Sequence, residues 1–381
     1  LASRLRMNDE TIPEPDRVPG APHPRETARL FGQGAAEAAF LEAHRSGRLH
    51  HAWMITGPKG IGKATLAWRI ARFLLTDESG SDAGLFGASE PPDSLDTDPG
   101  HPAVRRMMAG AEPRFFLLRR GWDDKGKRIR AEITVDETRK LKTFFGMSAA
   151  DGGRRVVIVD AADEMNVSAA NALLKVLEEP PKGAVLLLVA HQPARLLPTI
   201  RSRCRELRCS GLAPSELAPA LEQAGVASGA GALAALSGGS VGAAVAMAAE
   251  DGPALYARIA ALVGTAPRLD RPAAVKLAEE AAVRGREARR DLMLELLELL
   301  LARLARAGAG HPPPFEAAPG EGDLLARLAP DPAAGRRWAE LQQALSDRAR
   351  QGLAVNLDAS GLILDMVLKI NETAAEILAR P

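Results

Sequence analysis

Nine residues, GPKGIGKAT at 57–65, limit the folds open to this chain more than any other stretch. They come close to the pattern G-x-x-x-x-G-K-[ST], in which backbone amides at a helix N-terminus cradle phosphate and the lysine reaches the β and γ oxygens. Gly57, Gly62 and Lys63 fit, and Gly60 is a further position where the backbone can approach a ligand closely. Ala64 stands where a hydroxyl normally ligates magnesium, and Thr65 comes one place too late. The flanks strengthen the reading. HAWMIT (51–56) is a short apolar run, and GKATLAWRIARFLL (62–75) puts Leu66, Ile70, Phe73 and Leu74 on one helical face. Strand, glycine-rich loop and helix form the context a phosphate loop requires. Either nucleotide is bound there, or the loop is a glycine-rich turn kept by the fold.

The same alternation continues downstream. RFFLLRR (114–120), the run 156–159 in RRVVIVD, AVLLLVA (184–190) and RELRC (205–209) read as strands, with amphipathic helical stretches between them. Strands alternating with helices predict an α/β fold with a parallel sheet. Beyond residue 211 the chain changes to short glycine-punctuated helices, and from 253 to longer ones. The leucines of 288–305 cover more than one helical face, as expected for a helix buried on several sides. The expected organisation is a mobile polar tail over 1–24 and an α/β domain over 25–211 with a loose Asp/Ser/Gly/Pro-rich insertion near 77–112. A small helical domain over 212–252 and a helical domain over 253–381 follow, the last with a Pro/Gly-rich break at 309–322.

Charge and cysteine content exclude several classes. Lys and Arg number 49 against 48 Asp and Glu, so overall charge draws the chain to neither nucleic acid nor membrane. Only two cysteines occur, Cys204 and Cys209, too few for a disulfide framework or a four-cysteine zinc site. No apolar run is long enough to span a membrane, and the start lacks an apolar signal core. The expectation is a cytoplasmic protein with reduced thiols and no bound metal.

Asp160, at the end of a buried strand, has two readings: a second carboxylate for magnesium, or a group packed beside the loop lysine. Ala161 follows it where a water-activating glutamate would stand. Arg201 and Arg203, in TIRSRC, read as a solvated face or as an arginine offered to a neighbour's nucleotide.

GRLHHAWMITGPKGIGKATLA, RRVVIVDAADEMNVSAANALLKVLEEPP and LLPTIRSRC, in this order and spacing, resemble the delta-prime subunits of the bacterial DNA polymerase III clamp loader. The resemblance is strong over about 25–250 and weaker to the C-terminus. It implies an AAA+ α/β module, a helical lid (212–252) and a helical collar (253–381) that joins a five-subunit ring with the gamma/tau motor subunits and delta. It further implies a ring that opens the sliding clamp and places it on primed DNA, within the bacterial replisome. In this family the subunit is a stator that does not hydrolyse ATP. Carried over, Arg203 of the SRC triplet is the arginine finger acting in trans. Gly57, Gly60, Gly62, Lys63 and Asp160 form a degenerate site that needs no cofactor, though ATP binding without hydrolysis stays open. Ala64, Ala161 and Gly242 replace the hydroxyl, the glutamate and the lid arginine of motor subunits, and no cysteines stand where many relatives hold zinc. The competing readings are an active motor ATPase, a free-standing DNA-binding regulator and a scaffold without a trans-acting arginine.

Overall fold

The computed structural model describes residues 13–77, 92–123, 125–146, 153–226, 228–355 and 357–379. The chain divides into two compact units, Leu1–Ala224 with Ser240–Gly242, and Gly225–Gly239 with Ala243–Pro381.

In the first unit a five-stranded sheet has the order β2-β5-β6-β1-β7, every neighbouring pair parallel. Its strands are β1 (Ala52–Thr56), β2 (Phe115–Arg119), β5 (Arg155–Asp160), β6 (Ala184–Ala190) and β7 (Arg205–Arg208), close to the five runs read from the sequence. A two-residue antiparallel pair, β3 (Trp122–Asp123) with β4 (Arg128–Ile129), was not legible in the pattern. The helices are α1 (Gly34–Arg45), α2 (Lys63–Thr76), α3 (Pro102–Met108), α4 (Val135–Gly146), α5 (Val167–Glu178), α6 (Pro198–Arg201) and α7 (Pro214–Gln223).

The central strands are apolar on both faces because helices cover both faces. Ala52, Met54, Val157, Val159, Leu186 and Leu188 belong to one core with Leu141 and Phe144 of α4 and Leu173 and Leu177 of α5. Alternate residues point the other way, where Trp53 meets Phe40 of α1 at 5.1 Å and Phe115 meets Trp68 of α2 at 4.9 Å. Parallel pairing has one consequence for function. Thr56, Arg119, Asp160 and Ala190 all end at the same edge of the sheet.

Two segments expected to be loose contain buried residues. Residues 1–12 and 78–91 lie outside the described residues, but 13–24 and 92–112 each carry buried anchors. His23 is fully buried, edge-on to Trp68 at 5.7 Å. Leu95 and Met107 are buried, and the buried Glu112 takes both Arg106 (2.9 Å) and Arg114 (3.0 Å). Polar, proline-rich composition hides such segments, because their anchors find partners distant in sequence.

The second unit is helical, with α8 (Ala230–Ser237), α9 (Val241–Ala249), α10 (Gly252–Gly264), α11 (Arg271–Ala281), α12 (Glu287–Gly308), α13 (Glu321–Leu328), α14 (Pro332–Ala354) and α15 (Ala359–Leu378). Leu292, Leu294, Leu296, Leu297, Leu300, Leu301 and Leu304 of α12 are all buried, as their spread over several faces predicts. A buried polar network crosses this unit. The Glu321 carboxylate accepts from Arg303 Nε (2.6 Å) and Nη2 (2.9 Å), from the Tyr256 hydroxyl and from the Ala317 amide (2.7 Å). The remaining Arg303 donors reach the Ala235 and Phe315 carbonyls at 3.0 and 2.8 Å.

Helices α12 and α14 approach closely at Gly308 and Gly335, where a Cβ on Gly308 would lie 2.6 Å from the Gly335 Cα. Gly308→Ala is therefore expected to lower stability by about 1–3 kcal/mol, through forced separation of two helices. Gly34→Ala, which meets nothing within 4 Å, should change little. Equal urea midpoints for the two variants would refute the close-packing account.

Candidate functional site

The loop joining β1 to α2 lies at the shared C-terminal edge of the strands, as doubly wound sheets place their ligand sites. Its shape rests on glycine at two points. Gly57 has φ +137°, and a Cβ there would fall 2.4 Å from the Cys209 carbonyl oxygen. Gly60 has φ +80°, and a Cβ there would meet Ser240 Oγ at 2.4 Å and Gly242 Cα at 3.1 Å. Gly62 caps α2.

Lys63 is almost completely buried, and its ammonium donates to the carbonyls of Gly57 (2.6 Å) and Pro58. Burial lowers its pKa to about 8, against the pull of Cys209, Asp160 and Asp163. Asp160 is also buried. Burial first, then the Asp16 and Glu164 carboxylates, raise its pKa to about 7, while Lys63 and Arg119 oppose the rise. The five positions read from the sequence as the degenerate site, Gly57, Gly60, Gly62, Lys63 and Asp160, are thus gathered at one edge.

Several residues at this edge were missed. Gln33 donates to the Ile61 carbonyl (3.0 Å) and the Ser210 carbonyl (2.9 Å), tying the loop to the end of β7. Asp163 accepts from the amides of His191 (2.9 Å) and Gln192 (3.0 Å), and Glu164 pairs with Arg120 at 2.8 Å. Neither acid is free to take the place left by Ala161. Burial and the nearby lysines push His191 down to about 4. Asp16 comes from the segment expected to be a tail.

The residues fit a nucleotide in part. A lysine and a glycine loop opening a helix suit phosphate. The metal side does not fit: Ala64 offers no side-chain oxygen, and the carboxylates whose charges act on Asp160, Asp16 and Glu164, are held by His23, Arg119 and Arg120. Among the described residues no cluster of His, Cys, Asp and Glu is arranged to hold a metal ion.

Arg203 is not part of this gathering. It precedes β7, whose register with β1 runs from Trp53↔Arg205 to Thr56↔Arg208. Arg203 therefore sits at the N-terminal edge, and the four residues of β7 alone span about 13 Å between it and the loop edge. Its guanidinium donates to the Thr199 carbonyl (3.0 Å) and pairs with Glu178 of α5 (3.0 Å), with over a third of the side chain exposed. Glu178 belongs to the LEEPP segment, which composition alone reads as a helix cap and stop. Arg201 is exposed.

Strand order, loop and helices on both faces make a doubly wound parallel α/β module. Residues 32–213 match the family described as DNA polymerase III, delta subunit. Those residues, just under half of the chain, are what is similar to that family. Among relatives, DNA polymerase III subunit delta' of Pseudomonas aeruginosa is 41% identical over 50% of this chain and 53% of its own length. Subunit delta' of Escherichia coli is 33% identical over 44% of each chain. DNA polymerase III subunit gamma/tau of Mycobacterium tuberculosis is 32% identical over 47% of this chain and 28% of its own length. The match thus spans about half, or less, of these delta-prime relatives. A solved gamma-subunit-related protein from Thermotoga maritima is 18% identical with a TM-score of 0.35, over 88% of this chain and 99% of that one. No described helix is long and apolar enough to cross a membrane.

Asp160 makes stability depend on pH with a definite sign. A carboxyl whose pKa rises from 3.8 to about 7 on folding favours the protonated folded state, so its contribution is lost as pH rises from about 4 through about 7. Asp160→Asn removes the cost of ionising a buried carboxyl near Asp16 and Glu164, a cost that Lys63 and Arg119 only partly offset. The variant should be more stable than wild type at pH 8, on the order of 1–2 kcal/mol, with the gain fading by pH 4. Denaturant melts across that range check this, and a gain independent of pH would contradict it.

Proposed function

We propose that this chain is a non-hydrolysing stator subunit of the bacterial DNA polymerase III clamp loader. In this reading it joins the gamma/tau motor subunits and delta in a five-subunit ring that opens the sliding clamp and loads it on primed DNA in the cytoplasm. Its residues 25–211, 212–252 and 253–381 serve as AAA+ module, lid and collar, and the chain needs neither zinc nor another cofactor. Arg203 is the arginine finger lent to the nucleotide of an adjacent motor subunit.

The observation that carries this reading is the placement of Arg203 at the sheet edge opposite its own loop. An exposed guanidinium there cannot serve the site formed by Lys63 and Asp160. It is available to a site on another chain, where such a group stabilises charge on the transferring phosphoryl group. The absence of a hydroxyl at Ala64, and the engagement of Asp163 and Glu164 by other partners, support the non-hydrolysing role. An active motor would need a free water-activating acid beside Asp160.

Two outcomes are expected. The purified chain alone should release no phosphate from ATP above background, and Lys63→Ala should leave that unchanged. Steady release abolished by Lys63→Ala would favour the motor reading. In a loader reconstituted with motor subunits and delta, Arg203→Ala should assemble normally yet lower DNA-stimulated ATPase about two- to tenfold. The full value of a single finger, roughly 10³–10⁵, is masked because other motor sites keep theirs. Arg201→Ala is the control and should do less. Wild-type clamp loading by an assembled Arg203→Ala loader would reduce the chain to a scaffold.

A further inference from the structure

The segment leading into α1 is built into the edge of the loop site. One Asp16 oxygen lies 3.0 Å from His23 Nε2, and the other pairs with Arg119. The tautomer of His23 follows from its other nitrogen: Nδ1 accepts from the Arg25 amide at 3.1 Å, so the ring proton is on Nε2 and is donated to Asp16. Glu14 braces the same cluster, 3.0 Å from Arg25 and 3.6 Å from Arg119. Arg119 ends β2 in register with Asp160 at the end of β5. The basic group at this edge is thus already neutralised by an acid of the chain itself.

The same segment reaches the glycine loop. A Cβ on Gly62 would fall 2.8 Å from Leu30 Cδ1, and one on Gly242 would meet Gly60 Cα at 3.0 Å and Val18 Cγ2 at 3.4 Å. The Gly242 amide donates to the Gly60 carbonyl (2.9 Å), and the Ser240 hydroxyl to the Lys59 carbonyl (2.9 Å). Residues 13–30 and 240–242 therefore converge on the loop from two directions.

We propose that residues 13–30 form an internal strap that closes the loop site to nucleotide, with the Asp16 carboxylate taking the place of a phosphate beside Arg119 and Asp160. An incoming triphosphate would have to break the Asp16–Arg119 pair and lie against two carboxylates in a site sheltered from water. Coulomb repulsion is strong there. The strap adds to the loss of the magnesium hydroxyl at Ala64 and acts before any chemistry. It requires no ring and is independent of Arg203.

The test uses the full chain and N-methylanthraniloyl-ATP, with and without magnesium, read by fluorescence anisotropy. Asp16→Ala and His23→Ala are compared with wild type, with circular dichroism to verify folding. Trypsin cleavage after Arg17 and Arg25 reports release of the strap. Both variants should be cut at least about tenfold faster at these bonds and bind the nucleotide at least about tenfold tighter. If Asp16→Ala does not fold, Asp16→Asn removes the charge while keeping an acceptor for His23, and it must move binding in the same direction. A released strap without tighter binding overturns the proposal. So does wild-type protein that binds as tightly as the variants, or whose strap is cut as fast. Tighter binding without phosphate release leaves the stator reading intact, whereas tighter binding with steady release would defeat that reading and leave the strap standing.

Discussion

The loop between β1 and α2 is held by the protein before any ligand is considered. Its first glycine presses against the Cys209 carbonyl, and the Cys209 amide returns a 2.8 Å bond to Thr56. Gln33 clasps Ile61 to Ser210, and the buried Lys63 ammonium is satisfied by loop carbonyls. Each contact fixes the exit of β1 against β7 and the entry of α2 against the sheet. A side chain at Gly57 would displace backbone, not a flexible neighbour, and the φ there already excludes most residues. Packing alone thus preserves the glycine pattern of a phosphate loop. Retention of the motif is no measure of turnover: the departures from it fall at Ala64, half-buried, and at Ala161, buried.

The sheet separates two kinds of charge. At the C-terminal edge, Lys63, Arg119, Asp16, Asp160, Asp163 and Glu164 are buried or partly buried and answered from within the chain. At the N-terminal edge, Arg203 remains partly exposed, paired with the exposed Glu178 and bonded to the Thr199 carbonyl. Exposed pairs of this kind are worth little and exchange readily. A guanidinium held that lightly can leave for a better anion at small cost, whereas the inner cluster can accept a new anion only by breaking buried pairs. The asymmetry suits a chain that gives a charge to a neighbour and keeps its own site closed.

Much of the α/β unit was legible because buried parallel strands are written as unbroken apolar runs, as in residues 184–190, and because glycine and lysine spacing marks the loop. Asp160 was placed correctly by its position at the end of such a run. The N-terminal strap was not legible. Asp16 and His23 sit among prolines and charges that resemble any solvated tail, and the partners that bury them, Trp68 and Arg119, lie far along the chain. Helix α3 was hidden in the same way inside a stretch read as loose. The Glu178–Arg203 pair joins two motifs whose spacing says nothing of their contact. Periodicity reports what a segment buries against its own sheet or helix face. It is silent where one or two side chains anchor an irregular segment.

The carboxylate of Glu321 has a bearing on how this sequence can change over time. It is the common acceptor for Arg303, Tyr256 and the Ala317 amide, while Arg303 also fastens the Phe315 carbonyl. Breaking one member leaves a buried charge without its counterpart, whereas exchanging the whole set for apolar residues can be nearly neutral. Drift should therefore treat Tyr256, Arg303 and Glu321 as one inherited character, kept or lost together. The connection from α12 to α13, despite its prolines and glycines, can absorb insertions only ahead of Phe315. From that residue onward its backbone is part of the core's wiring.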